Sequence, residues 1–217
     1  MGPRLHGGGR FRRRLGSALG GDELLGDRAW RRILHVAGAA VLIYYAIPSD
    51  FFVVAPKSDI LLAALTATVV LEVLRHAAGV ELPTIRPYEL HRVASFVFYA
   101  LALVLAVLLF PLPIGAAVVL GTAVVDPLAG ELRRASRSNA VTFGVPFGVY
   151  AGLATAGMAV IGAWPVPSSV ALALGAGAIA VAAERPKYPW VDDDLAMTIV
   201  PALFLYAVGV LVLGLPW

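Results

Sequence analysis

The residues able to do chemistry fall into a few polar clusters set in an otherwise apolar chain. Asp126 ends an apolar run, directly before Pro127. A carboxylate in that position suits Mg²⁺, with substrate phosphates completing the ion's shell. Arg133, Arg134 and Arg137 follow closely enough to neutralise phosphate oxygens. A second acidic cluster, Asp192-Asp193-Asp194, opens the last apolar run after Lys187. One acid suffices to cap a helix start, and three in a row repel one another unless a cation sits among them. Asp126, Asp192 and Asp193 are therefore the expected metal ligands, with Lys187 a further phosphate contact.

Three basic or mixed clusters complete the set. Arg32 and His35 stand i, i+3 on one helix face and offer two donors to a phosphate, though the same residues also serve as interfacial anchors. Glu72 and Arg75 have the same spacing at the end of another apolar run, where a carboxylate must be paired or used. The segment Arg86-Pro-Tyr-Glu89-Leu-His91-Arg92 places Glu89 and Arg92 on one face of a helix beginning near Tyr88. His91 has the near-neutral unperturbed pKa that proton transfer requires.

The elements that must position these residues are read from composition. Of 217 residues, 59% are hydrophobic and only 14% charged, with a mean hydropathy of +0.83. A soluble domain carries about 25% charged residues, so an ordinary soluble enzyme is excluded. Unbroken apolar stretches such as Phe96 to Phe110 lack the alternation of a β-barrel strand. The expected fold is all-α, a polytopic integral membrane protein of about seven helices. Its spans run roughly over Ile33 to Ile47, Ile60 to Leu74, Val93 to Phe110, Ile114 to Leu128, Pro146 to Ala163, Ser168 to Ala183 and Leu195 to Leu215. Residues 1–30 form a basic tail with Arg10, Arg12, Arg13 and Arg14 but no signal-peptide pattern, and residues 31–217 form one transmembrane domain.

Charge sorting supplies orientation. With the amino terminus inside, all 17 Lys and Arg except Lys57 fall in the tail or on the cytoplasmic side. The histidines and most acids follow them, and no ionisable group is expected near mid-membrane, where a transporter or channel would place some. A cytoplasmic interfacial site on a multi-pass cell-membrane protein is the outcome. The absence of cysteine removes thiol chemistry. No GxxxxGK[ST], HExxH or GxSxG motif is present.

Taken in order from Arg31 to Tyr206, the clusters resemble the polyprenol kinase family, which includes dolichol, phytol and farnesol kinases and CTP-dependent diacylglycerol kinase and is related to the phosphatidate cytidylyltransferases. The likeness rests on the R-x-x-H opening, Leu71-Glu72 with Arg75, Arg86-x-x-Glu89, the D-P-L-A stretch from Asp126 to Ala129, and D-D-D-L from Asp192 to Leu195, where the family has D-D-N-L. Ser138 to Gly144 stands where the family carries Lys-x-x-Glu-Gly-Ser. The resemblance implies an integral membrane kinase that uses CTP and Mg²⁺ to phosphorylate the hydroxyl of an isoprenoid alcohol or a diacyl- or dialkylglycerol. Asp126 would be central to catalysis and Glu89 or His91 the proton acceptor. Arg32, His35, Arg133, Arg134, Arg137 and Lys187 would meet nucleotide phosphates, with Glu72, Arg75, Arg86 and Asp194 in support. The expected partners are the lipid alcohol, the nucleotide and the bilayer, with no nucleic acid; abundant Gly and Ala permit a homodimer. A cytidylyltransferase making a CDP-activated lipid and a non-catalytic scaffold or carrier are the alternatives.

Overall fold

A computed structural model describes residues 22–48, 56–79, 89, 92–135, 138–184 and 192–216. Among the described residues the structure is helical, with no strand. The elements are α1 (Asp22–Gly38), α2 (Lys57–Ala78), α3 (Ser95–Leu109), α4 (Leu112–Ala135), α5 (Asn139–Ala156), α6 (Val166–Glu184) and α7 (Asp193–Leu205). α1 continues through a 3₁₀ turn, Ala39–Leu42, into one more helical turn, Ile43–Ala46, while α5 and α7 widen into π-helical turns over Gly157–Ile161 and Tyr206–Val212.

Among the described residues, five helices are long and apolar enough to cross a membrane: Lys57–Ala78, Leu112–Ala135, Asn139–Ile161, Val166–Glu184 and Asp193–Val212. The first and third expected spans correspond to shorter apolar helices, Arg32–Ala46 and Ser95–Leu109. At 1.5 Å per residue, fifteen residues give about 22 Å, less than a ~30 Å hydrocarbon core. The helix of the fourth apolar run also extends beyond Leu128 to Ala135, so Arg133 and Arg134 lie in its last turn rather than in a loop. There they face the partial negative charge of the helix end.

α4 is the centre of the bundle, packing against α1, α5 and α7; α6 joins α5 to α7, and α3 packs on α7. The core cluster draws on Ile114, Val118, Val119 and Val125 of α4, Tyr150 of α5, Leu172 of α6 and Met197 of α7. Small residues set the closest approach: a Cβ at Gly157 would sit 2.7 Å from the Ala117 backbone nitrogen. α2 lies outside this core and packs chiefly on α3. Many of its apolar side chains, among them Val69, Val70, Val73 and Leu74, face outward, as lipid-facing residues do.

The bundle has two unlike ends. At one, Lys57 donates to the carbonyls of Tyr44 and Ile47 at 3.1 and 2.8 Å, and the Trp164 indole donates to the Pro216 carbonyl at 2.7 Å. At the other gather the last turn of α1, the starts of α3, α5 and α7, and the ends of α2, α4 and α6, and the buried charges of the described residues are there.

Candidate functional site

Three helices each bring one metal-binding side chain to the polar end. His35 comes from α1, Asp126 from α4 and Asp194 from the first turn of α7, and their donor atoms all lie within 4.8 Å of one another. His35 Nε2 is 3.4 Å from Asp126 Oδ2 and 3.4 Å from Asp194 Oδ1. His35 and Asp194 are buried, at 8% and 4% exposure, while Asp126 is half-buried and forms the open side of the group.

Local sequence explains why these side chains hold still. The His35 ring stacks on Tyr99 with centroids 4.2 Å apart, and the Tyr99 hydroxyl donates to the His35 carbonyl at 2.6 Å. Gly38 makes room for that ring, because a Cβ there would lie 2.5 Å from the Tyr99 hydroxyl oxygen. One turn inside the bundle, Thr198 Oγ1 donates to the Asp194 carbonyl at 2.9 Å and lies 3.1 Å from Thr122 Oγ1, tying α7 to α4 beneath the two carboxylates. Pro127 sits inside α4 and has no N–H for the Ala123 carbonyl, so the helical ladder is interrupted beside Asp126.

The remaining acids take other places. Asp192 Oδ1 accepts from the Asp194 backbone N–H at 3.1 Å and so caps α7, while Oδ2 accepts from Ser95 at 3.2 Å. Burial first, and then the neighbouring Asp193 carboxylate, push the Asp192 carboxyl up to about 6. Ser95 Oγ is also 2.8 Å from Glu89 Oε1, so one hydroxyl bridges two carboxylates. Asp193 is partly exposed on the first turn of α7. The expected trio of Asp126, Asp192 and Asp193 thus divides: Asp126 joins His35 and Asp194, and Asp192 joins Glu89 through Ser95.

The arginines ring this centre in ion pairs. Glu131 is shared by Arg32 and Arg134, the latter at 2.8 Å, and Arg133 pairs with the buried Glu184. Arg32 and His35 share a helix but not a task, since Arg32 reaches outward to Glu131 while His35 turns inward. Arg75 grips Glu72 through two bonds of 2.7 Å and donates to the carbonyls of Glu89 and Arg92 at 3.2 Å each. Glu72 Oε1 accepts from the Ala94 backbone N–H at 2.9 Å. The stretch around Tyr88 lies outside the described residues; α3 starts at Ser95, and the Glu72–Arg75 pair holds the backbone leading into it. Arg86, His91, Arg137 and Lys187 lie outside the described residues.

Sequence reasoning passed over Tyr99, Ser95, Thr122, Thr198, Glu131 and Glu184. The threonines carried a readable signal, because Thr122 stands four residues before Asp126 and Thr198 four after Asp194, each a lone hydroxyl in an apolar helix. Tyr99 carried none, lying in an apolar run where an aromatic side chain is ordinary core material.

A buried imidazole between two carboxylates, with arginines on the neighbouring turns, is a group that could hold a cation, and the arginines are of a type that could meet an anion. No family model, no curated protein and no solved structure matches this chain.

Proposed function

We propose that this chain is a multi-pass membrane phosphotransferase that moves the terminal phosphoryl group of a nucleoside triphosphate, CTP by the resemblance of its motifs, to the hydroxyl of a lipid alcohol. The amino terminus and the polar end face the cytoplasm, the two short apolar helices complete seven spans, and the active site lies at that membrane surface. The observation that carries the reading is the convergence of His35, Asp126 and Asp194 beside Arg32, Arg133 and Arg134.

Phosphoryl transfer asks mainly for positioning and neutralised charge. Asp126, with His35 and Asp194, would hold a divalent cation, which when bound offsets the charge on the transferred group. Arg133, Arg134 and Arg32 bind the phosphates at the rim. The lipid oxygen forms the new bond to phosphorus, the bond to the leaving nucleoside diphosphate breaks, and the hydroxyl proton passes to the Glu89–Asp192 pair. Apolar helix surfaces reaching the site let a lipid tail stay in the bilayer while its head is modified.

Purified protein in lipid nanodiscs, given CTP or ATP labelled in the terminal phosphate and a panel of isoprenoid alcohols and diacyl- and dialkylglycerols, is expected to yield a labelled lipid phosphate. Asp126→Asn should abolish it. Label released as pyrophosphate, with a CDP-lipid formed when a lipid phosphate is supplied in place of the alcohol, would replace the kinase with a cytidylyltransferase. No labelled product from any lipid, with either nucleotide, would defeat the enzymatic reading.

A further inference from the structure

The cation class can be read from the donor set. Mg²⁺ prefers an all-oxygen octahedron and keeps several waters, whereas imidazole nitrogen suits transition ions. Here, among the described residues, the group that faces both carboxylates is an imidazole, held by the Tyr99 stack and the hydroxyl bond to its own backbone carbonyl. Among the described residues no Arg or Lys pairs with Asp126 or Asp194, although arginines are plentiful one turn away.

The distances also discriminate. A charged N–H···O bond runs about 2.7–2.9 Å, and a single Nε2–H points well at only one acceptor. Nε2 instead stands 3.4 Å from both carboxylate oxygens, too long for either to be a strong bond. An ion about 2.1 Å from each donor sets neighbouring donors about 3.0 Å apart in an octahedron and about 3.4 Å apart in a tetrahedron. The two 3.4 Å distances from Nε2 therefore match the edges of a tetrahedral site better than a His–Asp ion pair, and the third pair of donors, from Asp126 and Asp194, lies within 4.8 Å. The half-buried Asp126 leaves one side open, as in catalytic sites with three protein ligands and a free position.

We propose that His35 Nε2, Asp126 and Asp194 directly ligate one divalent transition ion of the Mn²⁺ to Zn²⁺ class, in preference to the Mg²⁺ that the family resemblance implies. His35 is then a metal ligand and not a phosphate donor, and Tyr99 and Gly38 are positioning residues that fix its ring. The inference rests on the metal part of the proposed function and not on the identity of the lipid or nucleotide.

The test uses the full-length protein in nanodiscs with Mn²⁺ alone, without nucleotide or lipid substrate. Pulsed EPR is expected to show nitrogen hyperfine coupling from a directly bound imidazole, and titration calorimetry should show Mn²⁺ bound at least about tenfold more tightly than Mg²⁺. His35→Asp, which keeps the charge-binding oxygens, should erase the nitrogen coupling and lower the Mn²⁺/Mg²⁺ preference by about tenfold or more. Mn²⁺ bound without nitrogen coupling in the unmodified protein would overturn the proposal, as would no Mn²⁺ binding at all or binding unchanged in Asp126→Asn. Nitrogen-coupled Mn²⁺ in a protein that phosphorylates no lipid would sink the proposed function and leave the metal site standing.

Discussion

Removing Arg75 is the most informative single perturbation of the scaffold. Its guanidinium makes two 2.7 Å bonds to Glu72 and donates to the carbonyls of Glu89 and Arg92, and both ionic partners are buried, at 4% and 5% exposure. Arg75→Ala leaves the Glu72 carboxylate buried with only the Ala94 amide and a neighbouring histidine for company. Breaking a buried pair from one side costs about 3–5 kcal/mol. For a chain of this size 1 kcal/mol shifts Tm by about 2–4 °C, so the drop is roughly 6–20 °C. A thermal series in detergent, read by the fraction remaining monodisperse, measures it. Because α2 packs chiefly on α3, the loss should fall on this one helix and on the segment that leads into Ser95. The double variant Glu72→Leu/Arg75→Met removes both charges and should recover part of the loss; the Ala94 N–H and two carbonyls still lack these partners, at about 1–3 kcal/mol for each that stays dry. An Arg75→Ala protein within about 2 °C of the parent would refute the argument that this pair anchors α2.

Other expectations follow from the same geometry. Tyr99→Phe keeps the ring stack but removes the 2.6 Å bond to the His35 carbonyl, and should cost about 1 kcal/mol of stability while weakening Mn²⁺ binding in calorimetry. Gly38→Ala forces a Cβ to 2.5 Å from the Tyr99 oxygen and 2.9 Å from Leu103 Cδ1, an overpacking cost of about 1–3 kcal/mol that a melting curve will show. Asp192 holds its proton up to about pH 6 in the folded chain, against an ordinary value of 3.8, so the folded state binds the extra proton between them. With chelator present, Tm should therefore fall as pH rises from about 4 to 6, and Asp192→Asn should flatten that slope. Thr198→Val removes a donor to the Asp194 carbonyl and should lower Tm by about 2–4 °C.

The helical class was legible because apolar content this high leaves few alternatives, and the run boundaries followed the charges. Helix length was less legible. Nothing in Ala39-Ala-Val-Leu42 marks a 3₁₀ turn, and the arginines after Leu128 looked like loop residues although they extend α4 by two turns. The site was legible as a set of residues and not as a set of partners. Asp126 stood out because an acid ends an apolar run, but three adjacent aspartates look alike in a sequence. Helical geometry separates them: Asp194, already on the first turn of α7, turns into the bundle, while Asp192 stays outside as the cap. His35 was noticed through its spacing from Arg32, yet that spacing said nothing about Tyr99, which lies 64 residues away in sequence and fixes the ring.

The distribution of charge at the polar end bears on the order in which ligands bind under the proposed function. Glu72, Glu131 and Glu184 each already have an arginine, so a phosphate must draw Arg133 or Arg134 away from its carboxylate. Glu184 is almost fully buried, and among the described residues the loss of Arg133 would leave its charge uncompensated near Asp126 and Asp194, whose nearest described basic group is the His35 imidazole. A trianionic tail arriving first therefore adds negative charge where negative charge is already in excess. A dication arriving first neutralises the two carboxylates of the centre and makes release of Arg133 cheaper, since the field at Glu184 is then partly cancelled. Metal and nucleotide are thus coupled through the Arg133–Glu184 pair, and the coupling has the same size in both directions. Under the proposed function, the rim pairs would hold the arginines in place for the phosphates and keep the nucleotide from binding well until the His35 centre is filled.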